Sequence, residues 1–248
     1  MSERSVETSP QLYARIGGWL YLVTIVAGVF AEFFVRSKLI VSGDATATAH
    51  NIMASERLWR FGFAADLVGV LCYVAVTLIL YVLLRPVNRD ISLLAAFTSL
   101  VGCIILGFDG LAHFAPLLLL GGADYLKAFD QHQLQALALF SLKLHAYGYD
   151  LSIVFFSFYV LLLGYLIFRS GYLPKFLGVL LAIEFVCSLT NSLAGFLAPA
   201  FAATLPAALL APGAVAESAL CLWLIVMGVN VAKWKEKANL PAGKPAAL

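Results

Sequence analysis

Apolar residues run through this chain in long unbroken blocks rather than in the alternation of a half-buried strand. Six blocks stand out: Ile16 to Phe34, Phe61 to Leu84, Ile91 to Ala115, Ala146 to Phe168, Tyr172 to Phe196 and Ala211 to Ala232. A spanning helix needs roughly 20 such residues, because hydrocarbon is about 30 Å thick and each helical residue rises about 1.5 Å. In lipid only helices and closed barrels pair every backbone N–H and C=O, and barrel strands would alternate. The pattern predicts an all-α, polytopic transmembrane bundle of about six spans over 16–232. A short segment, 1–15, precedes it, and a disordered tail, 233–248, follows.

Composition agrees. The chain has 248 residues, 62% hydrophobic and 12% charged, with mean hydropathy +0.93. A soluble domain is about half apolar and about a quarter charged, so this excess exceeds what one soluble core could hide. Arg4 and Arg15 precede the first block as in a secretory signal, but the block is long for one and lacks a small-x-small cleavage site. Cys72, Cys103, Cys187 and Cys221 all fall inside spans with no C-x-x-C pair, which reads as thiols packing as small hydrophobes.

Charge supplies an orientation. With six spans both termini share a side, and ten of the sixteen basic residues fall there, against Arg36, Lys38, Arg57, Arg60, Lys127 and Lys143 on the other. The positive-inside rule makes both termini cytoplasmic. Trp19 and Trp234 then mark cytoplasmic span ends and Trp59 an outer one. The connections 85–90 and 169–171 are short enough to force antiparallel hairpins, whereas 35–60 and 116–145 are long and face outward. Leu134, Leu137 and Leu144 recur at helical spacing, so the stretch from Asp130 is expected to extend span four as one long helix. Spans two and four also align at a shift of 84 residues, matching Asp66 with Asp150, Tyr81 with Tyr165, Arg85 with Arg169 and Cys103 with Cys187, a weak sign of a parallel repeat.

Carboxylates at membrane depth are costly, and those that persist usually face a protein interior or a wet cavity. Glu32, Asp66, Asp109, Asp150 and Glu217 lie toward the outer ends of their spans and Glu184 near the middle of span five; the cytoplasmic halves hold no charged side chain. His50, His113, His132 and His145 fall on the same outward side, and Asp109 and His113, four apart, share a helix face. An outward-opening acidic pocket is expected, with Asp66, Asp109, His113, His145, Asp150 and Glu184 as its ligand-binding residues and a small cation or polar molecule as its ligand. Glu32, Asp150 and Glu217 could instead snorkel, or pair with Arg57, Arg60 or Lys143.

Two other readings stay open. Asp109, His113, His145 and Asp150 offer imidazole and carboxylate suited to a metal, and His113 and His145 could be haem ligands of a membrane-embedded enzyme, although no metal-binding spacing is present. The chain could also be a structural or regulatory subunit. G-x-x-x-x-G-K-[ST], G-x-G-x-x-G and a nucleophile elbow are all absent, which argues against ATP-driven transport by this chain alone, and the sparse tail lysines give no case for nucleic acid. The residues leave open whether the protein is an enzyme and which cofactor, if any, it uses.

The stretch GYDLSIVFFSFYVLLLGYLIFRSGYLPKFLGVLL (148–181), the opening RIGGWLYLVTIVAGVFAE (15–32), SERLWRFGFAADL (55–67) and the turn LLRPVNR (83–89) resemble a membrane family catalogued as domain of unknown function 4386. The likeness reaches from about Ala14 to Asn230. It implies a polytopic protein of the bacterial inner membrane and carries no active-site residues. Arg169, Gly171, Pro174 and Gly178 sit in the most recognisable turn, where glycine and proline end one helix and begin the next.

Overall fold

A computed structural model describes residues 9–239, and among these every regular element is helical. In chain order they are α1 (Pro10–Val29), a π-helical segment (Phe30–Arg36), α2 (Ser37–Leu39), α3 (Ala45–Ala54), α4 (Glu56–Leu84) and α5 (Arg89–Leu120). A 3-10 turn (Asp124–Ala128) leads to α6 (Gln131–Ser170) and α7 (Lys175–Leu197). The short α8 (Pro199–Ala202) and a second 3-10 turn (Ala207–Leu210) precede α9 (Ala211–Val226) and α10 (Val231–Asn239).

Six of these stretches are long and apolar enough to cross a membrane: Pro10–Leu39, Glu56–Leu84, Arg89–Leu120, Gln131–Ser170, Lys175–Leu197 and Ala208–Val226. Large apolar side chains stand bare along them, Leu71 and Phe108 each more than two-thirds exposed. An aqueous surface does not tolerate so many bulky apolar groups, whereas acyl chains do. The chain is therefore a multi-pass membrane protein.

Local chemistry sets the ends. Gln133 donates its backbone N–H to the Asp130 carboxylate at 2.8 Å while Asp130 N–H reaches the Gln133 side chain at 3.0 Å, a capping box that starts α6 fifteen residues before the apolar stretch at Ala146. No proline or glycine interrupts α6 until Gly148, so it runs on as one helix of 40 residues, as expected. Asp44 caps α3 through Ala47 N–H at 2.8 Å, and Gly171, at φ +75°, lets the chain leave α6 before Pro174 begins α7.

Two expectations are corrected. The outer connection 35–60 is largely helical, and the first span continues to Leu39, which draws Arg36 into a helix. The tail expected to lack structure from 233 begins as α10, whose Trp234 donates to Leu83 O at 2.8 Å; 240–248, like 1–8, lie outside the described residues.

The chain divides into two compact units, one comprising 1–22, 75–99 and 156–248 and the other 23–74 and 100–155. In the second, Val35, Leu39, Ile52, Trp59, Leu117 and Leu142 form a buried cluster. Gly62 lies against Val35, and Thr24 donates to Gly69 O at 3.2 Å, so the first span and α4 approach closely. In the first unit, small residues again permit close helix contact: Gly17 against Ile79, Gly18 against Ile225, and Gly164 with its Cα facing the Gly178 carbonyl.

Candidate functional site

The unit of 23–74 and 100–155 gathers six ionisable side chains from four helical elements. The π-helical turn over Phe30–Arg36 carries the first. Arg36 donates from Nε to Glu32 at 2.8 Å, four residues back, and from Nη1 to Asp66 of α4 at 2.6 Å. A guanidinium presents its donors in a fixed fork, so one side chain can hold two carboxylates at once. Its side chain is 11% exposed and that of Glu32 54%, which places Glu32 at the open edge of the network.

His113 of α5 comes next. It is fully buried and stacks on Trp59, ring centroids 4.4 Å apart and planes 17° from parallel, with Phe63 at 6.1 Å. Trp59 Nε1 donates to the His113 carbonyl at 3.1 Å, which fixes the indole as a wall for the imidazole. Pro116, three residues on, supplies no N–H, so the carbonyl of Ala112 loses its usual partner beside this ring. Arg36 Nη1 lies 3.4 Å from His113 Nδ1. Guanidinium nitrogens only donate, so this contact assigns Nδ1 as acceptor and places the ring hydrogen on Nε2. That Nε2 is buried with no hydrogen-bond partner.

His145 of α6 meets His113 edge to face at 5.3 Å. Its Nδ1 lies 2.6 Å from Asp109 Oδ2 and 3.4 Å from the Asp109 carbonyl. Asp109 is one turn before His113 on α5, as the i, i+4 spacing predicts, and is almost fully buried. Gly148 on α6 makes the approach possible: a Cβ there would overlap the Asp109 carboxylate. Arg36 thus joins Glu32, Asp66 and His113 by polar contacts, and His113 meets the His145–Asp109 pair ring to ring, so the cluster runs from a half-exposed edge to a buried end. Three carboxylates face one permanent cation, which leaves the cluster net negative when both imidazoles are neutral.

Over residues 16–228 the chain matches the family described as a domain of unknown function, DUF4386. The chain belongs to this family. An archaeal relative from Archaeoglobus fulgidus, named "Uncharacterized protein", is 34% identical over 110 residues, which make up 44% of this chain and 52% of that protein. The chain thus spans about half the length of the relative it matches, and the relative is archaeal where the resemblance implied bacteria. No solved structure matches.

For this DUF4386 chain the expected pocket of six residues resolves into parts. Asp66, Asp109, His113 and His145 are brought together. Asp150 follows His145 by five residues on α6, about 140° further round the helix; it is half-buried, with no ion pair to the cluster among the described contacts. Glu184 belongs to the other unit, where it lies against Gly213 of α9 and interacts with Glu217. Sequence reasoning missed Arg36, assigned to a loop, although its i, i+4 spacing from Glu32 was a usable signal. Trp59, read as an interface anchor, is instead fully buried against His113.

Among the described residues no group of three or more His, Cys, Asp and Glu is arranged to hold a metal ion. The two Nδ1 atoms face Arg36 and Asp109, and the imidazoles touch edge to face, which leaves no gap between them for a porphyrin. The metal and haem readings therefore draw no support from the arrangement.

Proposed function

We propose that the protein binds, and in its membrane carries, a small cationic or polar solute at the cluster of Asp66, Asp109, His113 and His145. One observation carries this reading: His113, completely buried, keeps a ring nitrogen without a hydrogen-bond partner, and in the same cluster Asp109 Oδ2, though close to His145, is also without one. A buried donor left unmet costs about 1–3 kcal/mol, a cost that a ligand acceptor would remove. The net negative charge would favour a solute that also carries positive charge, with Arg36 holding Asp66 in place and His145 facing Asp109.

In this reading the termini are cytoplasmic, following the bias of Lys and Arg, the membrane is the cell inner membrane, and the cluster opens outward at Glu32. Asp150 and Glu184 are not part of this site.

The test is thermal unfolding of the full chain in lipid nanodiscs against sodium, potassium, ammonium, tetramethylammonium and betaine. Binding at a hundred times Kd stabilises the folded state by about 2.7 kcal/mol, so a saturating rise in Tm is expected for betaine, the one of these that brings an acceptor together with positive charge. Asp109→Asn should abolish that rise. No response to any probe, together with a lowered Tm in Asp109→Asn and His113→Gln, would make the cluster a pin between helices, the role of a structural subunit.

A further inference from the structure

The unit of 1–22, 75–99 and 156–248 buries a second polar group. Glu184, near the middle of α7, is 7% exposed and its Oε2 has no hydrogen-bond partner. Its side chain lies on α9 at Gly213, where a Cβ would stand 3.4 Å from Glu184 Cγ and 3.6 Å from Oε1. Glu217 is four residues after Gly213 and so occupies the same face of α9, and the two carboxyls interact electrostatically. Tyr21 of α1 hydrogen-bonds to Glu217. Cys221, one turn further on α9, donates to Gly18 O at 3.4 Å. Pro199–Ala202 and Ala207–Leu210, which also pack on α7, hold no ionisable residue, and α6 meets α7 through Gly164 against Gly178 and Phe158 against Phe185.

Two interacting carboxylates in an apolar interior need a positive charge between them, and among the described residues no Lys, Arg or His forms an ion pair with either. A hard metal cation takes six or more oxygen ligands. Among the described residues no third carboxylate, His or Cys joins the pair to hold one, and Tyr21 already serves Glu217. A proton needs only the two carboxyls themselves, and the unpartnered Oε2 of Glu184 is a place for it.

We propose that Glu184 and Glu217 form a proton-exchange site, holding one proton between them that is released to and recovered from solution. The site is separate from the Asp66–Asp109 cluster and stands or falls independently of it. Proton uptake converts a pair of like charges into a hydrogen-bonded carboxyl–carboxylate pair, with Tyr21 fixing Glu217 as the partner.

The test uses dicyclohexylcarbodiimide on the full chain in nanodiscs. A protonated carboxyl gives its proton to a carbodiimide nitrogen while its oxygen bonds the central carbon, and the adduct rearranges to a stable N-acylurea. The modified peptide gains the mass of the whole reagent and can be mapped by mass spectrometry. Labelling of Glu184 or Glu217 is expected, falling about tenfold per pH unit above its midpoint. The midpoint should move in Glu217→Gln, and also in Tyr21→Phe, which removes only the hydroxyl should the first variant fold poorly. It should not move in Asp109→Asn. An infrared carboxyl band in the unmodified protein should titrate with the same midpoint. The proposal is overturned by no labelling at either glutamate at any pH, by a midpoint indifferent to both variants, or by labelling suppressed by sodium or potassium at fixed pH.

Discussion

In the unit of 23–74 and 100–155, Asp66 is met by a guanidinium at 2.6 Å and Asp109 by an imidazole at 2.6 Å; in the unit of 1–22, 75–99 and 156–248, Glu184 is met by another carboxyl. The first arrangement carries its own counter-charge and the second does not. Both are enclosed by helices that otherwise expose leucine, valine and phenylalanine. Buried charge in a membrane helix must be compensated, and the choice of compensator decides what a group can do. A guanidinium never lets go of its proton, so the Arg36 pair holds a fixed geometry, whereas a carboxyl pair changes charge whenever a proton arrives or leaves.

Removing the fixed cation is the severest way to break this contrast. Arg36→Met would leave Asp66 without its counter-ion, and deleting one member of a buried pair costs about 3–5 kcal/mol. Asp66 is a quarter exposed, so the lower end is expected, read as loss of stability on denaturant unfolding in mixed micelles. Arg36→Met with Asp66→Leu should recover more than half of it, because the orphaned charge is then gone. A double variant as unstable as the single one would mean that Arg36 acts through packing rather than charge.

A smaller effect is expected at Gly148. Its hydrogen faces the Asp109 carboxylate, and the methyl of Gly148→Ala must push that group or α6 aside. Overpacking of this kind costs about 1–3 kcal/mol. The specific readout is the His145 imidazole: its NMR signals should shift in Gly148→Ala and stay in Gly69→Ala, where the nearest atom to the new Cβ, Ala27 Cβ, is 3.7 Å away. Unchanged His145 signals would detach Gly148 from the cluster.

The spans were legible because lipid imposes a crude and repeated demand: about 20 apolar residues, with no water to rescue a backbone group. The same demand made Asp66, Asp109 and His113 conspicuous against their surroundings, and the four-residue spacing of Asp109 and His113 put them on one face. What was not legible followed from geometry that no local pattern encodes. Arg36 looked like a loop residue because the apolar block ends at Phe34, yet a π-helical turn carries the helix past it. Asp150 and Glu184 looked like members of one pocket because depth can be read from sequence and azimuth between helices cannot. Glu217 seemed a rim carboxylate until the packing of α7 on α9 set Gly213 beneath Glu184. Gly148, one of 19 glycines, gains meaning only from what faces it.

The smallest expected effect separates a fixed polar contact from an exchangeable one within a single unit. Leu83 lies in the last turn of α4, where carbonyls have no helical partner. Its oxygen accepts from the Tyr172 hydroxyl at 2.7 Å and from Trp234 Nε1 at 2.8 Å. With two donors on one oxygen, Tyr172→Phe leaves the carbonyl satisfied and should cost less than about 1 kcal/mol near neutral pH. Tyr172→Phe with Trp234→Phe should cost more than the two separately, since only then is the carbonyl orphaned. Burial pushes the Tyr172 phenol above its ordinary 10.0, in the turn between two spans. A group raised in the folded state contributes in full below its unfolded value and loses that contribution as pH rises beyond it. Stability should therefore decline above about pH 10 in the wild type and decline less in Tyr172→Phe, measured by denaturant unfolding from pH 7 to 11. Equal alkaline decline in the two proteins would mean that the hydroxyl ionises freely, and the Leu83 cap would then rest on Trp234.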